Sequence, residues 1–378
     1  MPRHTPSSGK SQGLSRCVEK MHGAGIPAWW EPLFERCSNR SIFLSPEWLR
    51  TWLEVYGGDF TGHWIHWEVD GAVVGGCLLT KRTVWRYFFR QRILSFNATG
   101  IAKQRTPLAE FNDLPFVSGH EEQILLDLAD FLLQRGWDRL SLSGYEDSAL
   151  LARVAALLPA YKIERDSRPA PYVDLTGFKE TTVESALSGR YRSQMRKCRE
   201  IYEQTLGAVA LTRAETAQQA QAYFDELAQL HNDRWQKKGD EGSFQTPSVV
   251  QFHQRIIDRL WDKNAVDLLR IRAGETVVGC IYNFIDRGKV YFFQSGYSYD
   301  NNPNIRPGLL SQLMAIEDYR ARDFVEYDFL AGDARYKRMF AKQHRVLHWT
   351  AVYRKSIWNR LFFFAKHIKS RLSARRTT

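Results

Sequence analysis

The sequence lacks several features that would place it in a familiar class. Its 378 residues include only five cysteines, spread along the chain without a C-x-x-C pair, which argues against a disulfide framework and against a zinc site. Nowhere do 18 apolar residues run together, and the first twelve residues lack the apolar core of a secretory signal. These absences predict a cytoplasmic protein with reduced thiols.

Acidic residues are missing from the last part of the chain, 334–378, which holds thirteen Lys or Arg. The formal net charge is +11, so the first 333 residues together carry −2. Basic character confined to one end is not typical of a protein that binds nucleic acid with its whole surface. The sequence also lacks G-x-S-x-G, P-loop and H-E-x-x-H motifs, which argues against serine-hydrolase, P-loop nucleotide and metal chemistry.

Two segments repeat the same order of predicted elements. Apolar runs over 65–69 and 72–79 flank Asp70-Gly71, and similar runs over 266–272 and 276–284 flank Ala273-Gly274-Glu275; each pair predicts a β-hairpin. An apolar stripe at helical spacing and then a short strand follow each hairpin, at 124–133 with 139–143 and at 309–316 with 325–330. Chance similarity is the alternative to an internal duplication.

The duplication predicts an α/β (α+β) fold with two tandem domains, each a mixed sheet flanked by helices. Pro169 and Pro171 predict an irregular linker over 166–177. We divide the chain into a disordered N-terminus (1–25), a first domain (26–176), a basic linker helix (177–205), a second domain (206–355) and a basic amphipathic tail (356–378).

Several short motifs appear in a fixed order along the chain. They are Ser45-Pro-Glu-Trp48, the basic helix over 188–200, His231-Asn-Asp-Arg-Trp235, Gly242-Ser-Phe244, Phe252-His253 and the stretch Tyr327 to Phe340. By their order and spacing the chain resembles the GNAT-like acyltransferases of tandem, Fem-type architecture, including those associated with bacterial polysaccharide biosynthesis.

The resemblance implies two GNAT-like domains, of which the second is active. It implies transfer of an acyl group, acetyl first among them, from acyl-CoA to an amine or hydroxyl of a glycan or lipid-linked cell-envelope precursor, without a metal. One alternative is an aminoacyl-tRNA-dependent transferase that acts on a cell-wall precursor, with nucleic acid as a partner; the chain lacks the long helical hairpin that some Fem-type proteins carry. The other is a non-catalytic binding component of a polysaccharide assembly system.

GNAT enzymes hold the acyl-CoA pyrophosphate on a glycine-rich loop that opens a helix, because backbone N–H groups and the positive helix end suit anions. The corresponding turn in this chain has one glycine and consists of Arg306, Pro307, Gly308 and Leu309. Arg306 offers a positive charge, and Pro307 suits a first helical position. These four residues are the predicted cofactor site; an ordinary helix start is the alternative.

Three residues are candidates for catalysis. Asp328 lies in an apolar strand, where a carboxylate needs a partner, so it is either a base or amine anchor or half of an ion pair with Arg335 or Lys337. The resemblance implies a functional role for Lys337; a solvated lysine is the alternative. Tyr291 shares one strand face with Ser295 by spacing and either lines the acyl site or packs in the core.

Six further residues are candidates for substrate binding. Arg192 and Arg196 are four apart on a predicted helix and could grip a diphosphate, or form a solvated basic face. Trp235 could stack on a sugar or base, or anchor its helix in the core. The others follow from their positions on the predicted central strand and beside Lys337: Gln294, Ser295 and Tyr336.

The tail carries apolar residues at helical spacing among basic ones, at 357, 361, 364, 368 and 372. Such a helix can lie on an anionic membrane surface, which would make the protein peripheral to the inner face of the membrane. Docking of the helix on its own domain is the alternative.

Overall fold

We analysed a computed structural model that describes residues 13–87, 89–99, 106–107 and 109–374. In this part of the chain the strands are β1 (Ser15–Lys20), β2 (Thr61–Val69), β3 (Ala72–Arg86), β4 (Phe89–Phe96), β5 (Arg139–Tyr145), β6 (Ala160–Asp174), β7 (Val209–Arg213), β8 (Val266–Ala273), β9 (Thr276–Asp286), β10 (Lys289–Tyr297), β11 (Glu326–Asp328) and β12 (Gln343–Arg354). The α-helices are α1 (Trp30–Arg36), α2 (Pro46–Tyr56), α3 (Glu121–Leu133), α4 (Leu150–Leu157), α5 (Gly189–Thr205), α6 (Ala217–Lys237), α7 (Pro247–Trp261), α8 (Pro307–Ala321), α9 (Arg335–Phe340) and α10 (Ile357–Ala374).

The strands form one mixed sheet whose order reads the same from both edges. The order is β1-β2-β3-β4-β5-β12-β6-β11-β10-β9-β8-β7. From one edge the strands of the first copy run inward as β1 to β5, and from the other edge those of the second copy run inward as β7 to β11. The predicted mixed α/β fold with two similar tandem units is therefore confirmed.

The two copies exchange their last strands at the centre of the sheet. β6 follows the first copy in the chain but pairs with β11 of the second, where Tyr172 lies opposite Asp328. β12 follows the second copy but pairs with β5 of the first, where Thr350 lies opposite Leu142. β6 and β12 pair with each other along nearly their whole length. Each copy thus completes its part of the sheet with the strand that follows the other copy in the chain.

Two predictions about irregular segments were wrong. The stretch expected as a linker over 166–177 is largely strand β6. Its two prolines fit because their backbone groups point away from β12, so the ladder between β6 and β12 requires no N–H group from them. On that other side the carbonyl of Pro169 accepts from the Gly332 N–H, and the carbonyl of Pro171 accepts from the Phe329 N–H. The N-terminal region 1–25, expected to be disordered, contains β1, which pairs with β2; residues 1–12 lie outside the described residues.

One hydrophobic cluster joins the helices of both copies on one face of the sheet. The Trp48 ring on α2 lies 4.9 Å from that of Phe252 on α7 and 5.4 Å from that of Phe284 on β9. Beside this contact, Arg259 Nη2 lies 2.6 Å from Glu54 Oε1. Because aromatic side chains from both copies fill one core, the relative position of the copies is fixed by packing.

Helix α10 docks on the centre of the sheet through a few residues. Phe362 is buried against Tyr353, and Asn359 Nδ2 donates to the carbonyl oxygens of Asp138 and Arg354, both at 2.8 Å. Among the described residues, no helix combines the length and the apolar character that crossing a bilayer requires.

Candidate functional site

A cleft of about 1020 Å³ opens in the second copy, where β10 and β11 separate. The two strands pair over only three positions, from Lys289 with Glu326 to Tyr291 with Asp328, whereas β10 continues to Tyr297. Beyond the paired part, the edge of β10 faces a space bounded by α5, α6, the start of α8 and α9. The separation of the strands therefore creates the cleft.

A β-bulge in β10 decides which side chains face the cleft. The register shifts between Phe292 and Gln294, so the side-chain alternation changes by one. After the bulge Gly296 faces α6 so closely that a Cβ atom there would lie 2.4 Å from the carbonyl oxygen of Leu227. Ser295 therefore points to the opposite face from Tyr291, and the prediction that these two residues share a face was wrong.

The lining of the cleft is strongly basic. It includes one acidic residue, Asp300, and five basic ones, which are Arg190, Arg234, Lys238, Arg306 and Arg335. No described carboxylate forms an ion pair with any of the five. Instead Arg234 stacks over the Tyr299 ring at 4.2 Å and Lys238 lies 5.2 Å from the centre of the Trp235 ring. Cations held by aromatic faces keep their charge available for an anionic ligand.

The N-terminus of α8 lies at the edge of this basic space. Pro307 takes the first helical position after Arg306, and no acidic residue occupies the first turn. A Cβ atom on Gly308 would lie 3.0 Å from Cε2 on one edge of the Tyr297 ring. A Cβ atom on Gly279 would lie 2.7 Å from Cδ1 on the other edge of the same ring. The ring therefore packs between two glycines, and a longer side chain at Gly308 would have to turn toward the cleft.

His231 on α6 lines the cleft and was not among the predicted site residues. It is 7% exposed, and its ring lies 5.1 Å from that of Phe244 and 6.0 Å from that of Trp235. The imidazole hydrogen-bonds to the backbone of Ser295, while Nε2 has no partner among the described residues. Burial lowers the pKa of His231 to about 4, so the ring is neutral at pH 7. A neutral imidazole with one N–H bonded has a free lone pair on the other nitrogen.

The structure brings eight of the predicted residues into the cleft. All four cofactor candidates line it, as do four of the substrate candidates, Trp235, Gln294, Ser295 and Tyr336. Arg192 and Arg196 do not. Arg192 Nη1 donates to the carbonyls of Ser185 and Leu187, both at 2.8 Å, and Arg196 is exposed and pairs with Glu200. The face of α5 toward the cleft carries Arg190, Tyr191 and Gln194 instead. Helical spacing alone does not show which face of a helix points to the cleft.

The three predicted catalytic residues are buried outside the cleft lining. Asp328 pairs with Arg345, whose Nη1 lies 2.7 Å away, and not with Arg335 or Lys337 as expected. Lys337 Nζ donates to the carbonyls of Phe329, Leu330 and Ala331 at 2.8–3.1 Å. Tyr291 packs against the Phe43 and Phe111 rings, as its core interpretation expected. The polar atoms of Asp328 and Lys337 are therefore already engaged beside the cleft, and the Tyr291 ring packs in the core.

The corresponding space in the first copy is filled with polar side chains. Asn97 follows β4, and its side chain accepts from the Leu78 N–H at 3.0 Å and donates to Asn112 Oδ1 at 3.1 Å. Asn112 in turn donates to the Phe96 carbonyl at 3.0 Å. This network ties β3 and β4 to the chain segment that precedes α3. The two copies therefore differ at the site where the second one opens.

One group of residues has metal-ligand character, at the edge of the sheet that belongs to the first copy. Cys17, His66 and Glu68 offer ligand atoms within 4.8 Å of one another, in the part of the chain that the structure describes. His66 Nε2 lies 3.1 Å from Glu68 Oε1, so a hydrogen bond accounts for the contact without an ion.

Three buried carboxyl groups should contribute stability that is lost as the pH rises from about 4 to about 7. Burial raises the pKa of Glu110 and Asp328 to about 7 and that of Asp113 to about 6. In this range each of the three carboxyl groups binds more protons in the folded state than in the unfolded state, so their contribution to stability falls as the pH rises, whereas the buried neutral His231 and His253 contribute in the opposite direction. Urea unfolding at several pH values separates the contributions: Asp113→Asn removes one carboxyl contribution, so the stability of this variant relative to the wild type should increase as the pH rises from about 4 to about 6. A pH dependence equal to that of the wild type would contradict the assignment.

Comparisons with known proteins agree with this architecture. Residues 189–338 match a family described as the acetyltransferase (GNAT) domain. The structure is similar to that of FemX, with a TM-score of 0.54, 12% identity, and coverage of 88% of this chain and 96% of that one. It is also similar to L-PGS from Bacillus licheniformis, with a TM-score of 0.50, 12% identity, and coverage of 90% and 96%. No curated protein sequence matches the chain.

Proposed function

We propose, on the premise that the chain has a GNAT-like domain in a tandem, Fem-type architecture, that it is an acyltransferase with its reaction site in the second copy. The donor is acyl-CoA, acetyl-CoA first, and the acceptor is an amine or hydroxyl of a glycan or lipid-linked cell-envelope precursor. The observation that carries the proposal is the basic cleft at the separated strands, with the N-terminus of α8 at its edge.

The cleft suits a donor rich in phosphate. The positive end of a helix and nearby guanidinium groups both stabilise phosphate oxygens, and Arg306 stands where the two effects add. The unpaired edge of β10 offers backbone groups to the extended part of such a donor, as a neighbouring strand would. The acyl group would then lie near Ser295 and His231, and the acceptor would enter from the side of α5 and α6.

The reaction joins an acceptor nitrogen to the thioester carbonyl carbon. A C–N bond forms, the C–S bond breaks, and the proton that leaves the nitrogen passes through His231 to the sulfur, which departs as a thiol. His231 Nε2 accepts the proton, since the attacking amine becomes more acidic as the new bond forms. Burial raises the pKa of Tyr336, so its hydroxyl stays protonated and can donate a hydrogen bond to the leaving sulfur. For a hydroxyl acceptor the same groups act on oxygen.

Calorimetric titration of acetyl-CoA, longer acyl-CoAs and aminoacylated tRNA into the protein tests the donor. We expect acyl-CoA to bind, and Arg306→Glu to weaken binding by about tenfold or more because it reverses one phosphate contact. Gly308→Trp should also weaken binding, because its side chain must enter the cleft.

The matched control is Gly177→Trp, since Gly177 is exposed and has open space around a Cβ atom. It should bind as the wild type does, and thermal unfolding checks that each variant is folded. Binding of charged tRNA without acyl-CoA would replace the donor, and binding of neither would reject the enzyme assignment in favour of a non-catalytic component.

A further inference from the structure

We propose that α10 and the tip of the β3–β4 hairpin together form a docking surface for an anionic lipid bilayer. The surface consists of the exposed apolar residues Trp85, Ile357, Trp358, Leu361, Phe364 and Ile368. It is separate from the cleft residues, so the proposal stands independently of the reaction assigned above.

The helix presents apolar residues on two opposite faces. Phe362 and Asn359 face the sheet and are buried. Ile357, Leu361, Phe364 and Ile368 recur at helical spacing on the other side, where Phe364 is 65% exposed. Docking of the helix on its own domain therefore explains only one face. A second apolar stripe directed to solvent marks an interaction surface.

The hairpin tip contacts the helix and adds an exposed aromatic residue that is distant in sequence. Trp85 near the end of β3 is 71% exposed. The next residues join the tip to the helix: Tyr87 lies 5.6 Å from Phe362 between ring centres, and Lys369 Nζ lies 5.2 Å from the Tyr87 ring. Trp85 and Trp358, which is 60% exposed, are the residue type that favours the headgroup level of a bilayer.

The positive charges around the stripe favour binding to an anionic bilayer. Exposed basic residues flank it on both elements, namely Arg86, Arg90, Lys355, Arg360 and Lys369. The chain from 334 onward has no acidic residue. Glu164, which contacts α10, already pairs with Lys162 and Lys366. A second copy of the chain would bring like charges together, whereas anionic headgroups neutralise them and the apolar stripe enters the acyl boundary.

Sedimentation with lipid vesicles tests the proposal on the full chain. The protein should sediment with vesicles that contain about one third phosphatidylglycerol, and much less with pure phosphatidylcholine vesicles or at high salt. The double variant Trp358→Glu/Phe364→Glu should reduce the partition coefficient by about tenfold or more, because it removes two inserted rings and adds two negative charges. It leaves the docking residues Phe362 and Asn359 in place.

Leu206→Glu is the control, since Leu206 is 43% exposed at the end of α5 and away from α10. It should partition as the wild type does. The proposal is overturned by a wild type that stays in the supernatant, or by a double variant that still sediments. It is also overturned if ultracentrifugation without lipid shows a dimer that the double variant abolishes, because the stripe would then be a protein interface.

Discussion

Replacing His231 with glutamine should lower kcat of acyl transfer by about a hundredfold or more, the usual contribution of a positioned proton acceptor. His231 lines the cleft, and its buried Nε2 has no partner among the described residues, while the ring hydrogen-bonds to the Ser295 backbone. Glutamine keeps a similar volume but cannot take up a proton at neutral pH. Release of CoA thiol from acetyl-CoA with glucosamine as the acceptor measures the rate.

The pH profile and a second histidine separate catalysis from structure. The wild-type rate should fall on the acid side near the His231 pKa of about 4, and this limb should be absent from the variant. His253 is buried on α7, is not among the residues that line the cleft, and has its pKa lowered to about 3 by burial. His253→Gln should affect stability but leave kcat near the wild-type value. Unaltered kcat in His231→Gln would remove His231 from the mechanism.

Replacing Arg345 with methionine should destabilise the fold by about 3–5 kcal/mol at pH 8, the typical effect of leaving a buried carboxylate without its partner. Arg345 Nη1 lies 2.7 Å from Asp328, which is fully buried, and Nη2 lies 2.5 Å from Glu326. Its guanidinium also lies 3.9 Å from the centre of the Tyr172 ring. It therefore connects β12, β11 and β6 at the centre of the sheet. Denaturant unfolding measures the change.

Arg338→Met is the control for this variant. Arg338 also pairs with a carboxylate, Asp333, but both side chains are more than half exposed. The expected change is within about 1 kcal/mol, since exposed ion pairs contribute little. An equal loss in the two variants would show that loss of a positive charge, and not exposure of a buried carboxylate, causes the effect.

Local patterns in the sequence predict much of this fold. The hairpins at Asp70-Gly71 and Gly274-Glu275 and the helices α3 and α8 occur where turn residues and apolar spacing place them. These features depend on neighbours in the chain. The spacing of apolar residues does not show which strands β6 and β12 pair with. The exchange of the two strands could therefore not be predicted.

The same limit applies to the site. The turn from Arg306 to Leu309 was predicted because a helix start has a local signature. The face of α5 that lines the cleft and the bulge in β10 depend on packing against other elements. His231 could have been selected from its motif with Trp235, but only the structure shows that its Nε2 is unpartnered.

The exchange of β6 and β12 bears on how the protein is made. β5 of the first copy pairs with β12, and Tyr145 hydrogen-bonds to Thr350 across a sequence separation of 205 residues. During synthesis β5, at one edge of the first copy's sheet, therefore stays unpaired on one side until nearly the whole chain has left the ribosome. Long-range pairing of this kind slows folding, and open edges invite aggregation. The two copies should fail to fold when they are expressed separately. Co-translational folding should depend on chaperones that cover the unpaired edge at β5.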